Sequence, residues 1–206
     1  MDAAAWDERY AGTDLMWGAE PNRFLPPAVA GVPPGRGVDI ACGEGRNAIW
    51  LAGQGWTMTG VDFSAVAIGK ARELAHRQGV TVDFEVADVV THRLEPVHDL
   101  VLVFYLQLAP RERAAVLARA AGGLAPGGTF LMVAHDRDNV EHGYGGPQDA
   151  RVLPTADLVV ADLLASPTGP ELEVQRAEQV QRPVATDEGE RVALDCLVRV
   201  VRQPGR

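Results

Sequence analysis

Residues 37–51 read GVDIACGEGRNAIWL: an apolar run, a Gly-Glu-Gly turn, then residues able to open a helix. Gly43, Gly45 and Ala48 satisfy the spacing G-x-G-x-x-G/A in the strand–turn–helix context that brings backbone close to a nucleotide-like ligand. Alone, such a turn is a weak signal. It gains weight from Asp62, which lies 19 residues after Gly43 at the tip of the next apolar run, the place where an acid takes ribose hydroxyls.

Outward from this turn, four short apolar runs are bounded by turn signals: Val38–Ala41, Trp56–Val61, Val80–Val86 and Leu100–Phe104. Helix-like segments separate them. Asn47–Gln54 ends at Gly55. Ser64 caps a helix that runs to Gln78 and stops at Gly79, and Pro110 opens one to Leu124, stopped by Pro126-Gly127-Gly128. Strands alternating with helices require right-handed crossovers, hence an α/β doubly wound domain with a parallel sheet covered on both faces. A fifth strand is expected at 129–134, then a polar loop over 135–149 and a helix near Thr155–Ala165. LEVQRAEQVQRP (172–183) and RVALDCLVRVVR (191–202) alternate with period two and have no helix between them, which predicts an antiparallel hairpin.

Further acids discriminate between a pyrophosphate and another ligand. Asp88 follows the third run, where carboxyl ends of strands face ligands in open α/β sheets, and a carboxylate there accepts from an exocyclic amine such as that of adenine. Glu44 lies inside the turn and Asp39 on the run leading into it. Negative charge around the turn suits a ligand with cationic groups better than a diphosphate. An adenosine with a positive tail fits that description. Phe63 belongs either against the adenine face or in the core at a helix entry. Arg46 and Asn47 stand at a helix N-terminus, where they either bind a carboxylate or serve as solvated and capping residues.

The chain has 206 residues, a net charge of -9 and a sequence pI near 5.0. That length suits one domain, and the acidic balance argues against nucleic-acid or anionic-membrane partners and for a small molecule. Cys42 and Cys196 are the only cysteines, so a disulfide framework is not expected and a reducing compartment suits the chain. The opening MDAAAWDERY lacks the pattern of a signal peptide, and no apolar run approaches the ~20 residues that span a bilayer. A cytoplasmic protein is expected.

The ordered motifs VDIACGEGRNAIWLA, GVDFS, VADVV, HDLVLVFYLQL and LAPGGTFLMVAH resemble the class I S-adenosylmethionine-dependent methyltransferases, over roughly residues 35 to 135. The small-molecule branch that includes tellurite-resistance and thiopurine methyltransferase-like proteins is most similar. The resemblance implies a Rossmann-like sheet of seven strands, mostly parallel with a C-terminal antiparallel hairpin. It implies one domain over 1–206 in which WDERY…WG…PNRFL, within residues 1–30, is similar to that branch's lid segment. It further implies that Gly43 and Gly45 approach the methionine part, Asp62 the ribose and Phe63 the adenine, while Asp88 and the Val89 amide hold the adenine edge. Asp39 faces the cofactor ammonium, and Trp17, Arg46, Asn47 and Phe104 complete the cofactor contacts. Ala41 stands where many relatives have a third glycine, and FYLQL lacks the Asn-Pro-Pro-Tyr type of sequence found in nucleic-acid and protein amide methylases.

The product of such a reaction is S-adenosylhomocysteine, and the partner a small-molecule methyl acceptor. His135, Tyr105 and Tyr10 are the candidate catalytic residues, with Asp136 and Gln107 near them; Tyr10 and Trp17 are placed to close over the site. A strand-end histidine satisfied by its loop is the alternative for His135. No metal is expected, since His135, Asp136, Asp138, Glu141 and His142 match no defined ligand spacing. Two rival functions remain: a non-catalytic S-adenosylmethionine-binding protein, and an NAD(P)-dependent oxidoreductase. The latter lacks its Tyr-x-x-x-Lys pair, since Lys70 is the only lysine.

Overall fold

The computed structural model describes residues 3–12 and 14–204. Seven strands, β1 (Arg36–Ile40), β2 (Thr57–Asp62), β3 (Asp83–Val86), β4 (His98–Phe104), β5 (Leu124–His135), β6 (Leu172–Thr186) and β7 (Gly189–Arg202), form one sheet in the order β3-β2-β1-β4-β5-β7-β6. The first five pair in parallel; β7 runs antiparallel to both β5 and β6, as the period-two runs predict.

The central strands are apolar on both faces because both are covered. Val38, Ile40, Val101, Val103 and Met132 pack with α5 (Pro110–Gly122) and α7 (Ala156–Leu164). Leu100, Leu102, Leu131 and Val133 pack on the other side with α3 (Arg46–Gly53) and α4 (Ala65–Gln78). Helix ends follow local chemistry: Ser64 Oγ accepts the Ala67 N–H at 3.0 Å, and Gly79 ends α4 with φ 68.

Several boundaries differ from the sequence reading. The third strand begins at Asp83, because the Val80 amide is occupied by the Ala75 carbonyl at the end of α4. The fifth begins at Leu124 and absorbs the Pro-Gly-Gly segment: Leu124 pairs with His98, the register shifts, and Thr129 then faces Leu100. That segment is a bulge in a strand as well as a helix stop, and Gly127, at φ 84, permits it. The N-terminal segment contains the helix α1 (Ala3–Ala11) and the single turn α2 (Leu25–Ala28), and α6 (Asn139–His142) interrupts the polar loop.

The segment preceding β1 lies across the carboxyl ends of the strands. Ser64 Oγ donates to Asp7 Oδ1 at 2.5 Å, Lys70 Nζ donates to the Tyr10 carbonyl, and the Met16 amide donates to Glu44 Oε2 at 2.8 Å. The Asn22 amide donates to Asn47 Oδ1, also at 2.8 Å. At 15 and 14 residues, β6 and β7 outlast the parallel strands, so the middle of the hairpin reaches the same end of the sheet.

Candidate functional site

The chain turns sharply after β1, with φ 60 at Ala41, 54 at Gly43 and 79 at Gly45. A Cβ on Gly45 would fall 2.7 Å from the Phe84 ring, so conformation and packing both call for glycine. Ala41 carries the left-handed strain in a residue that disfavours it, at a cost of about 1–2 kcal/mol.

Asp39 lies under this turn and is 1% exposed, yet neither of its carboxylate oxygens has a hydrogen-bond partner among the described residues. Burial pushes its carboxyl up to about 7; Arg46 and the Ala48 amide oppose the rise and Asp62 adds to it. Such an orphaned acid calls for a cationic or hydrogen-bonding ligand group. Asp62 Oδ2 accepts the Gly43 N–H at 2.8 Å and Oδ1 the Ser64 N–H at 2.9 Å, which ties the turn to α4. Burial raises its pKa, against the opposing Ser64 and Gly43 amides. Each oxygen keeps a lone pair for a further donor. Glu44 is not available as expected from sequence: Lys70 stands 3.4 Å from it and the Met16 amide bonds it, so its charge is balanced within the protein.

Arg46 Nη1 donates to the Trp17 carbonyl at 3.0 Å and Asn47 receives the Asn22 amide, so both hold the N-terminal segment over the turn. Tyr10 is buried with its hydroxyl against Gly43, where a Cβ would fall 2.8 Å from it. Burial and the nearby Asp62 charge raise the Tyr10 pKa. Trp17 is 53% exposed. Phe63 is half-buried next to Asp62, and exposed Asp88 accepts the Val90 amide at 2.9 Å, with half-buried Val89 beside it. Phe104 departs from its expected role: its side chain is buried in the α3/α4 core, which leaves only its main chain at the strand end.

A second group of side chains gathers at the ends of β4 and β5. Tyr105 has φ 54, a rare conformation for a bulky residue, and its hydroxyl donates to Asp195 Oδ2 at 2.8 Å. Arg182 Nε donates to the same oxygen at 2.6 Å, and His135 Nδ1 lies 3.2 Å from Oδ1. The Asp195 side chain is fully buried. Burial alone would raise its pKa, but His135, Arg182 and Tyr105 outweigh that and hold it below the usual range. The Tyr105 and His135 rings stand 4.9 Å apart, and Gly146 lies on the imidazole, where a Cβ would meet Nε2 at 2.9 Å. Asn139 fixes that loop: its Oδ1 accepts the Leu194 amide and its Nδ2 donates to the Gly145 carbonyl. Asn22 and Arg46 reach toward Tyr105 and join the two halves of the site.

Sequence reading found Tyr105 and His135 but not Asp195 or Arg182. The one signal was an acid between Leu194 and Cys196 in an otherwise apolar run. Gln107 and Asp136 stand near without entering the group; Asp136 Oδ1 accepts from Asp138 and Gln179 instead. No three His, Cys, Asp or Glu side chains among the described residues are grouped to hold a metal. Burial raises both thiols, Cys196 to about 12, so neither is poised as a thiolate.

Residues 38–128 match the family model of a methyltransferase domain. Over these residues, fewer than half of the chain, it resembles methyltransferase domains, and its fold is similar to theirs. Thiopurine S-methyltransferase of Pseudomonas putida (strain GB-1) is 29% identical over 169 residues, covering 71% of this chain and 77% of that protein. Carboxy-S-adenosyl-L-methionine synthase of Chromohalobacter salexigens is 33% identical, covering 46% and 37%. The chain spans about a third to a half of the length of the first curated relatives it matches. Among solved structures, a protein studied for the conversion of a disulfide bond into a thioacetal group during echinomycin biosynthesis superposes with TM-score 0.77 at 21% identity, covering 99% and 93%. TehB from Haemophilus influenzae gives 0.70 at 14% identity, covering 98% and 66%.

Proposed function

We propose that this protein transfers a methyl group from S-adenosylmethionine to a small-molecule acceptor. The observation that carries this reading is Asp39: a carboxylate buried beneath the glycine turn with no well-formed hydrogen bond among the described residues, only the Arg46 charge and the Ala48 amide opposing the effect of its burial. The cofactor, when bound, supplies an electrophilic methyl group on a sulfonium.

The residues fit it as follows. Asp39 takes the ammonium; Gly43 and Gly45 give the amino-acid end close approach. Arg46 and Asn47 stand at the α3 N-terminus where a carboxylate is favoured. The free lone pairs of Asp62 take ribose hydroxyls, Phe63 flanks the adenine, and Asp88 with the Val89 amide holds its edge. Within residues 1–30, those described (3–12 and 14–30) act as a lid on a single domain, with Tyr10 and Trp17 over the cradle; residues 1, 2 and 13 lie outside the described residues. Since Tyr10 occupies the space above Gly43, ligand entry requires that segment to move. Tyr105 and His135 face the acceptor, and the protein's part is to orient it and exclude water.

The net charge of -9 supports a small molecule over a nucleic acid as partner. No helix among the described residues is long and apolar enough to cross a membrane, and two unpaired cysteines accord with a cytoplasmic location.

Calorimetric titration with S-adenosylhomocysteine, with NAD as control, tests the reading. Micromolar binding of the former alone is expected, and binding of NAD instead would overturn it.

A further inference from the structure

We propose that Asp195 is the positioning residue that makes His135 the proton acceptor of the site, so that the methyl acceptor is a protic oxygen or sulfur nucleophile, a hydroxyl or a thiol. This inference rests on the methyltransferase reading of the same site.

His135 and Asp195 are register partners across β5 and β7, so their side chains stand on one face of the sheet. Nδ1 and Oδ1 lie 3.2 Å apart, in ion-pair range though off the line of a hydrogen bond, and buried Nδ1 has no other partner among the described residues. The carboxylate cannot swing away, because Tyr105 from β4 and Arg182 from β6 both bind Oδ2, and Arg182 also reaches Oδ1 at 3.4 Å. An ionised acid at Nδ1 keeps the proton on that nitrogen and leaves Nε2 with its lone pair. The ring stands 4.9 Å from that of Tyr105, and the loop packs on it at Gly146, where a Cβ would fall 2.9 Å from Nε2. With φ 75, Gly146 adopts a backbone that other residues avoid. The left-handed Tyr105 is the second strained residue at the mouth of the sheet, as expected of a constrained functional position.

The chemistry of the group favours an acceptor that must lose a proton. A halide-like anion needs no base, and a site built only for one has no use for a buried His–Asp pair. For a hydroxyl or thiol, the X–H bond breaks, its electron pair stays on X as the attacking pair, and the proton bonds to Nε2. The imidazolium then lies against Asp195, whose charge it shares with Arg182, and the proton returns to solvent when the product leaves. The titratable groups against the imidazole are Tyr105 and Asp195, and Arg182 is bonded to that same Asp195.

Long-range nitrogen–proton NMR of His135, in the free protein and in the protein saturated with S-adenosylhomocysteine, reads the tautomer without any variant. Nδ1–H with a bare Nε2 is expected; the Nε2–H tautomer would overturn the proposal. Asp195→Asn is expected to move His135 toward the Nε2–H tautomer, with Asp195→Glu restoring the Nδ1–H form. An unchanged tautomer in a folded Asp195→Asn protein would overturn it. In parallel, S-adenosylhomocysteine release is followed with catechol and dithiothreitol as protic probes and iodide as a pre-ionised one. Release with a protic probe, cut on the order of 100-fold by Asp195→Asn, is expected. Release with iodide alone, or with none of the three, would overturn the acceptor class. Calorimetric binding of S-adenosylhomocysteine separates the two readings: no binding alongside an intact Nδ1–H tautomer would remove the methyltransferase reading and leave the pairing.

Discussion

The two halves of the sheet's mouth are built by different means. Asp39, the glycine turn and Asp62 lie within one strand–turn–helix–strand unit, and the hydrogen bond from Gly43 to Asp62 spans 19 residues. Across the mouth, Tyr105 and Asp195 are bonded over 90 residues, and the group they form with His135 and Arg182 draws on four strands or strand ends. The near half offers main-chain donors and one acid without a well-formed hydrogen bond. The far half is made of side chains placed by the β5–β7 register. A slip of one residue in that register would turn Asp195 to the opposite face of the sheet.

The largest effect is expected from Asp195→Ala, which leaves Arg182 without its acid in a half-buried setting and removes the partners of Tyr105 and His135. Stability measured by denaturant unfolding should fall by about 3–5 kcal/mol. A proportional fall in S-adenosylhomocysteine affinity would show that Asn22 and Arg46 couple the two halves energetically. Asp62→Ala acts on the other half: cofactor affinity should weaken by roughly 1.5–3 kcal/mol, about 10- to 150-fold by calorimetry. A change below about twofold would leave Asp62 as a tie between the turn and α4 and no more.

Asp39 gives a pH dependence with a definite sign. Its carboxyl is raised to about 7 in the folded protein. The stability it contributes is therefore present below the unfolded value of about 4 and lost as pH rises through about 7. A cation beside it favours the ionised form, so binding expels a proton below that point. S-adenosylhomocysteine affinity should rise by up to about tenfold per pH unit between about pH 5 and 6, then level off above about 7. Asp39→Asn should flatten the profile; a wild-type profile that is already flat would take the ammonium away from Asp39. The smallest effect on binding is expected for His135→Ala, with affinity kept within about twofold, a difference under about 0.5 kcal/mol. Its turnover should nonetheless fall, and equal turnover would return His135 to a strand-end residue held by its loop.

Much of the near half was legible in the sequence because it rests on local rules. Gly43 and Gly45 make the turn that their spacing suggested, Ser64 and Gly79 cap the helix they bracket, and the period-two runs pair as an antiparallel hairpin. Three features near the site were not legible. Glu44 read as charge for a ligand, but Lys70, from the next helix, neutralises it. Phe104 read as a cofactor contact, but the core that α3 and α4 form around it encloses its side chain. Asp195 read as one polar residue in an apolar run, because its partners come from Tyr105, His135 and Arg182, each on another segment.

The sequence by itself determined the alternation of strands and helices, the turn after the first strand and the acids that follow it. Residue spacing, capping and left-handed glycines act over a few neighbours and need no distant partner. Tertiary structure alone decided which acids remain unpaired and which are neutralised, and that a histidine and an aspartate sixty residues apart meet face to face. Strand register sets which side chains share a face, and the energy of a buried charge depends on every group that the fold brings around it.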